Sequence, residues 1–384
     1  MSKNNINILD NLSKLIKQTE AECYQLKEEA KKETDKNLEK EKKKEATTCQ
    51  FRIKNYKKGL DVIKKFTKEI TSSDDVKGIS GIGKGMMTRI DEILETGTLT
   101  ELKVTKSEND VAVAEIQKLQ LITGVGPKSA HKLYDIGLTL NLLLSLMNKV
   151  ADGEDPRKLS IDEIVQLSEE NELKLHNLTH HQLVGLKYFD DIDERIPRKE
   201  VAKIESRLKK LISKIDKDLL MTVCGSYRRK KTTSGDIDVL ITHPKLANEY
   251  DIKEQGGTYL MDIVKQLSEV GLLVDHLTTL GTTKYMGVCR LSSKGKGRRI
   301  DIRFVAREDY APALLYFTGS KDFNTQMRGE ALKIGYTINE YGIYKLRKKS
   351  GRYINKKGVK IVAQTEEEIF DLVGMKYLKP EERG

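Results

Sequence analysis

Cys224-Gly225-Ser226-Tyr227-Arg228-Arg229-Lys230-Lys231-Thr232-Thr233-Ser234-Gly235-Asp236-Ile237-Asp238-Val239-Leu240 is the stretch on which the reading of this chain turns. Asp236 and Asp238 sit two apart and alternate with Ile237, Val239 and Ile241. A strand has a side-chain period of two, so both carboxylates fall on one face and the aliphatics on the other. Two carboxylates side by side repel each other unless a cation lies between them. Ligands that are all oxygen suit Mg²⁺, which one or two carboxylates plus substrate phosphates commonly hold. Upstream, Gly225-Ser226 follows the apolar run Met221-Thr222-Val223-Cys224. A Gly-Ser turn after a strand offers backbone N–H groups and a hydroxyl to a phosphate, and Arg229 adds a planar fork for phosphate oxygens.

A third carboxylate, Asp301, stands in Arg298-Arg299-Ile300-Asp301-Ile302-Arg303-Phe304-Val305. Here Arg299, Asp301 and Arg303 share one strand face and Ile300 and Ile302 the other. Two carboxylates on one strand and one on a neighbour can hold two metals in the clamp used for in-line phosphoryl transfer. An isolated Asp-x-Asp is usually a solvated strand edge. The Gly-Ser start, the arginines between and the later Arg-x-Asp-x-Arg strand favour the metal reading.

Gly225-Ser226…Asp236-Ile237-Asp238 resembles the signature of the nucleotidyltransferase superfamily. Asp238-Val239-Leu240-Ile241-Thr242-His243-Pro244 resembles the family X DNA polymerases, and their beta type in particular. The similarity extends through Lys284-Tyr285-Met286-Gly287-Val288-Cys289, Arg299-Ile300-Asp301-Ile302-Arg303, Tyr316-Phe317-Thr318-Gly319-Ser320 and Ile338-Asn339-Glu340-Tyr341. It runs from about Gln50 to the C-terminus and is dense after Leu178. The resemblance implies an α+β fold. Helical N-terminal domains with two helix-hairpin-helix motifs would precede a nucleotidyltransferase-type palm with a mixed β-sheet and a small C-terminal α+β subdomain. The implied activity is template-directed addition of a deoxynucleotide to a primer 3′-OH in short gaps during DNA repair. Template-independent terminal transfer and a non-catalytic gap-binding scaffold are the alternatives.

Composition agrees with a polyanionic partner. Of 384 residues, 33% are charged and 38% hydrophobic, and the net charge is +11. No apolar run is long enough to span a bilayer and no signal peptide opens the chain. The four cysteines, Cys23, Cys49, Cys224 and Cys289, have no Cys-x-x-Cys spacing, and Cys224 and Cys289 lie in apolar strand patterns. A disulfide framework is not indicated, so the expected compartment is reducing. That means the nucleus in a eukaryotic cell, otherwise the cytoplasm or a virion, and not the exterior.

Five segments are expected. Residues 1–48, rich in lysine and glutamate, read as a solvated helical or disordered leader, although Ile8, Leu12, Leu15 and Ile16 could form a short apolar face. Residues 49–103 read as a helical, lyase-like domain around Gly78-Ile79-Ser80-Gly81-Ile82-Gly83-Lys84. Residues 104–195 hold a second such turn, Thr123-Gly124-Val125-Gly126-Pro127, and an insertion near 151–176 with no assigned role. In each turn the glycines let backbones approach and the following helix presents free N–H groups to a phosphate. Such contacts read no sequence. Residues 196–308 would be the catalytic palm and 309–384 a nucleotide-selection subdomain, which includes a hairpin through Lys357-Gly358. His180-His181 reads as surface and helix packing, because adjacent residues do not share a helix face.

By the resemblance, Asp236 and Asp238 hold two Mg²⁺ ions (or Mn²⁺), Asp301 ligates the ion that lowers the 3′-OH pKa, and Arg299 steadies Asp301. Gly225, Ser226, Arg229 and Gly235 bind the triphosphate. Tyr316, Phe317 and Gly319 test the sugar, and Asn324 and Arg328 meet the minor-groove edge of the nascent pair. Tyr341 rearranges with Arg303 on closure, at the DNA. Lys321 replaces an acidic residue beside the base. Gly81, Gly83 and Lys84 hold DNA downstream of the gap, and Gly124 and Gly126 hold the primer side. A monovalent cation, Na⁺ or K⁺, sits on the carbonyls of each hairpin. The partners implied are gapped or nicked double-stranded DNA and deoxynucleoside triphosphates, bound by a monomer with no membrane contact. One departure stands out. Alignment through Gly81-Ile82-Gly83 and Ile90-Asp91 puts Arg89 where the family's Schiff-base lysine belongs, and an arginine stays protonated. Gly85 replaces a supporting lysine, Glu101 falls where a base is expected, and only Tyr56 of that group survives. The expectation is a phosphate-binding domain, using Arg89 and Lys84, without 5′-deoxyribose-phosphate lyase activity.

Overall fold

The computed structural model describes residues 2–102, 108–349 and 352–384. They form two compact units, residues 1–121 with 125–142, and residues 122–124 with 143–384.

The first unit is helical. Helices α1 (Lys3–Lys32) and α2 (Lys36–Lys65) are joined by a turn in which Asp35 caps α2 by accepting from Asn37 N and Leu38 N. Ile8, Leu12, Leu15 and Ile16 recur at three- and four-residue spacing and are buried against Tyr56, Leu60 and Ile63 of α2 and Met86, Ile90 and Ile93 of α3 (Lys84–Thr96). Asn5 accepts from Ile70 N at 2.9 Å and donates to Lys68 O at 2.8 Å, and Asn11 donates to Gly97 O at 3.2 Å. Residues 1–48 are therefore not a solvated leader: Ile8, Leu12, Leu15 and Ile16 are part of this unit's core, and the boundary expected at 48 falls inside α2. From Cys23 on the pair closes on small side chains, the buried thiols Cys23 and Cys49 and then Ala30 and Ala46. Such contacts leave no apolar stripe to read. Helix α4 (Pro127–Asp135) starts with proline at its first position.

In the second unit α5 (Ile161–Glu170) is closed by the Ser160/Glu163 capping box inside the 151–176 segment. Helices α6 (His180–Lys187) and α7 (Arg198–Ile215) lead to a sheet of five strands: β1 (Leu220–Val223), β2 (Ile237–Thr242), β3 (Leu273–His276), β4 (Lys284–Cys289) and β5 (Arg298–Phe304). The spatial order is β1-β2-β5-β4-β3. Only β2 and β5 run parallel, with Asp238 opposite Asp301; the other pairings are antiparallel. One face takes Ile237, Val239, Ile241, Ile300 and Ile302 into a core with Val201, Ile204, Leu208 and Leu211 of α7 and Leu260, Ile263 and Leu267 of α8 (Gly257–Glu269). Each such fully buried aliphatic contributes about 1.5–3 kcal/mol. On the other face Leu240 packs on Cys224 and Ala313, and the carboxylate end of β2 and β5 beside it is left for chemistry.

The chain then folds into α9 (Tyr310–Thr318), α10 (Lys321–Lys333), an antiparallel sheet β6 (Tyr336–Asn339), β7 (Gly342–Lys349), β8 (Arg352–Ile361), and α11 (Glu366–Leu372). Lys357-Gly358 is not a hairpin turn. β7 ends at Lys349 and β8 begins at Arg352, the two residues between lying outside those described, and Gly358 lies within β8, where the register shifts. A Cβ there would approach Lys345 O at 2.8 Å. The glycine serves a close backbone approach, the usual meaning of glycine inside a strand. The whole is the α+β architecture expected. No helix among the described residues is long and apolar enough to cross a membrane.

Candidate active site

The site is built on the β2–β5 pair. Parallel pairing in register sets Asp238 beside Asp301, and Asp236 stands just before β2. Carboxylate oxygens of the three lie within 4.8 Å of one another. Burial, then the charge of Asp301, pushes the Asp238 carboxyl up to about 7, against the pull of Arg229. Asp301 is also raised by burial, opposed by Arg299, Lys284, Arg303 and His181. Its Oδ1 is buried with no hydrogen-bond partner. A group of acceptor-only oxygens that burial disfavours, one of them unpartnered, suits a hard divalent cation. Arg299 serves two carboxylates: it donates to Asp236 Oδ2, and its Nε makes a longer ion pair, 3.8 Å, with Asp301 Oδ1. The guanidinium prefers the less buried carboxylate, where a strong charge-assisted bond can form.

The Gly-Ser turn is held against Asp238. Gly225 has φ +57°, and a Cβ on it would lie 2.5 Å from Asp238 Oδ2. Cys224 N donates to Asp238 O at 2.8 Å, and Ser226 Oγ donates to Ser234 Oγ at 2.9 Å. Gly235 is exposed, on the same turn as Ser234. Arg229 donates through Nη1 to Thr318 O, while its Nε is buried without a partner. Its neighbour Arg228, which sequence reasoning passed over, makes a bidentate pair with Glu366 at 3.0 and 2.8 Å and donates to Thr318 Oγ1. Arg383 donates to the same Glu366 at 2.6 Å and is fully buried. These arginines clamp the turn to α9 and α11 through partners far along the chain.

Tyr316 and Phe317 meet edge to face, 5.3 Å between ring centroids. Phe317 lines one small cavity with Asp238, Lys284, Asp301 and Arg303. Tyr316, Asn324 and Arg328 line another. Asn324 donates to Tyr316 O at 2.7 Å, and Gly319 has φ +65°. The Arg303 guanidinium lies 5.8 Å from the Phe317 ring and 5.9 Å from the exposed Tyr341 ring. Lys284 and His181, both charge partners of Asp301, were not singled out as site residues; the fold brings them to Asp301 from distant parts of the chain.

Each glycine turn leads into a helix. Gly81 and Gly124 take φ +115° and +91°, and Gly83 and Gly126 cap α3 and α4. Lys84 is exposed at the first turn of α3. Arg89 departs from expectation. It donates to both oxygens of Glu101, at 2.5 and 3.1 Å, and stacks 4.9 Å from the Tyr56 ring. Its charge is thus answered within the fold. Arg52, Tyr56, Lys58 and Arg89 line the cavity beside Gly81 and Gly83. A second acidic group, Asp216, Asp218 and His243, is a poor metal site. His243 Nδ1 accepts from Lys245 N at 3.1 Å, so Nε2 carries the proton toward Asp216, 3.2 Å away.

Residues 195–307 match the DNA polymerase beta palm model, residues 313–384 the DNA polymerase beta thumb model, and residues 9–99 a helix-hairpin-helix domain model. The chain belongs to the family X DNA polymerases. Among members of this family, it is 33% identical over 344 residues to DNA polymerase lambda of Rattus norvegicus, covering 87% of this chain and 52% of that one. It is 33% identical over 340 residues to DNA polymerase lambda of Arabidopsis thaliana, covering 86% and 57%. It is 26% identical over 351 residues to DNA nucleotidylexotransferase of Xenopus laevis, covering 84% and 62%. The chain spans about half the length of the lambda relatives it matches. The helix-hairpin-helix match begins at residue 9, consistent with α1 as core.

Proposed function

We propose that this chain fills short gaps in DNA by template-directed, Mg²⁺-dependent transfer of a deoxynucleotide to a primer 3′-OH. The observation that carries the reading is the placement of Asp238 opposite Asp301 with Gly225 pressed on the Asp238 carboxylate. Asp236 and Asp238 would hold two Mg²⁺ ions, which Mn²⁺ could replace, with Asp301 on the primer side. Bound there, the metal supplies Lewis acidity to the phosphoryl group and a lower pKa for the attacking hydroxyl. The protein's own residues position and enclose. Backbone N–H groups of the Gly225-Ser226 turn, the Ser226 hydroxyl and Arg229 cradle the triphosphate, with Gly235 leaving room beside it. Arg299 balances the carboxylates. Tyr316 and Phe317, fixed by Gly319 and Asn324, set the wall against a ribose 2′-OH, and Arg328 and Tyr341 meet the duplex. Gly81, Gly83 and Lys84 grip the downstream strand and Gly124 and Gly126 the primer strand. Hairpin carbonyls there would bind Na⁺ or K⁺. Gap filling tests the proposal: a one-nucleotide-gapped duplex should be extended in Mg²⁺ and left untouched in chelator.

DNA affinity should fall steeply with salt, because lysine and backbone contacts release counterions. The expected log–log slope is about −0.9 per neutralised phosphate. A slope near zero in a binding titration at several salt concentrations would remove gapped DNA as the partner.

We further infer that the first hairpin domain lacks lyase activity. Arg89, bound to Glu101, can neither lose a proton nor turn freely to a phosphate, so Arg52, Lys58 and Lys84 would supply the charge there. Borohydride trapping on an incised abasic duplex should give no covalent adduct. A strong adduct lost in Lys84→Ala would show that the nucleophile has moved by one turn.

A further inference from the structure

Helix α6 is pressed onto the turn of the second hairpin. A Cβ on Gly124 would lie 2.8 Å from His181 Cδ2, and one on Gly185, a helical turn further on, 2.2 Å from Thr123 O. Gln182 Nε2 donates to Gly124 O at 3.3 Å. The same helix is tied to the sheet. The His180 ring reaches His276 O at 2.7 Å, and Lys187 Nζ and Tyr188 OH both donate to Asp275 Oδ2 at 2.7 Å. α6 is thus a strut between residues 122–124 and the sheet that carries the carboxylates.

His181 occupies the inner side of that strut. Its ring packs on Gly124, and Arg299 and Asp301 are the strongest charges acting on it. Its Nε2 is shut off from solvent and has no hydrogen-bond partner. Buried polar atoms in folded proteins are nearly always paired, so an unpaired one calls for a partner. A cation on Asp236 would compete with Arg299, the first of the charges acting on the ring, for that carboxylate.

We propose that His181 is a primer-positioning residue whose Nε2 bonds the phosphodiester adjoining the primer 3′ terminus, between the Gly124 turn and Asp301. The inference rests on the polymerase reading above. A strand whose backbone lies on the Gly124 turn and whose 3′-OH reaches Asp301 would run on the side of the strut where this ring sits. An imidazole nitrogen there can bond a phosphate oxygen, a charge-assisted contact. The paired histidines are then unequal: His180 braces the sheet edge and His181 faces the substrate.

The test is a double-mutant cycle between side chain and phosphate. Full-length wild type, His181→Phe and His181→Gln are compared in single-turnover filling of a one-nucleotide gap. The primer's last phosphodiester is either native or a neutral methylphosphonate. On native primer His181→Phe should be slower by about tenfold, with dNTP affinity within about twofold of wild type, as for loss of one bond to a charged group. His181→Gln, whose amide nitrogen reaches a similar position, should recover most of the rate. The methylphosphonate should slow wild type about tenfold and His181→Phe by less than about twofold. Equal methylphosphonate effects on the two proteins, or a wild-type rate for His181→Phe, would overturn the assignment. If His181→Phe melts at lower temperature than wild type, His181→Gln decides: a retained rate and a retained methylphosphonate effect support the contact, and their loss refutes it. Wild type that extends neither primer would instead refute the polymerase reading on which the inference stands.

Discussion

Asp301→Ala should lower the single-turnover rate of nucleotide addition by about 10²–10⁴-fold, the span of a typical general-base contribution, and leave gapped-DNA affinity within about threefold. Asp301 lies in register with Asp238 on the neighbouring strand, and one of its oxygens is buried without a partner. Its side chain supports no core packing, since Ile300 and Ile302 carry that on the opposite face. Loss of the carboxylate should therefore remove chemistry and spare the fold. Binding would come mainly from backbone contacts far from this residue. A rate within about tenfold of wild type would mean that Asp301 neither ligates a cation nor serves the attacking oxygen.

Gly225→Ala should be nearly as damaging, for a steric reason. The new methyl would sit 2.5 Å from Asp238 Oδ2, and the backbone at φ +57° disfavours any side chain. Holding alanine in that conformation costs about 1–2 kcal/mol. Either the turn lifts or the carboxylate swings away, and a shift of about 1 Å at a reacting centre can cost roughly 10² in rate. A stopped-flow rate within about threefold of wild type, with an unchanged melting temperature, would show that the turn is not set against Asp238 in the working enzyme.

The carboxylate-bearing strands were legible because their signal is local. Alternation places Asp236, Asp238 and Asp301 on one face, and the glycine turn lies a few residues upstream. What escaped reading is non-local. The stripe Ile8, Leu12, Leu15, Ile16 finds its partners in Tyr56, Leu60, Met86 and Ile90, so a lysine- and glutamate-rich arm looked solvated when one face of it is core. The roles of the arginines could not be read either. Arg228 is bound to Glu366, 138 residues away, and Arg299 chooses Asp236 over its near neighbour Asp301. Arg89 looked like free charge until Glu101 was placed against it. Gly358 looked like a turn because glycine marks both turns and strand irregularities, and only strand pairing separates the two.

The most direct test of the account compares one-nucleotide gaps that differ in a single feature: a templating base, an abasic template position, or rNTP in place of dNTP. The account predicts fast addition of the complementary dNTP opposite a base. It predicts addition slower by about tenfold or more with rNTP, where Tyr316 and Phe317 would meet the 2′-OH, and slower by about 10² or more without a templating base, where positioning of the incoming nucleotide is lost. Equal rates with and without a templating base would contradict it and make the chain a template-independent transferase. No extension of any gap, with tight DNA binding retained, would make it a scaffold.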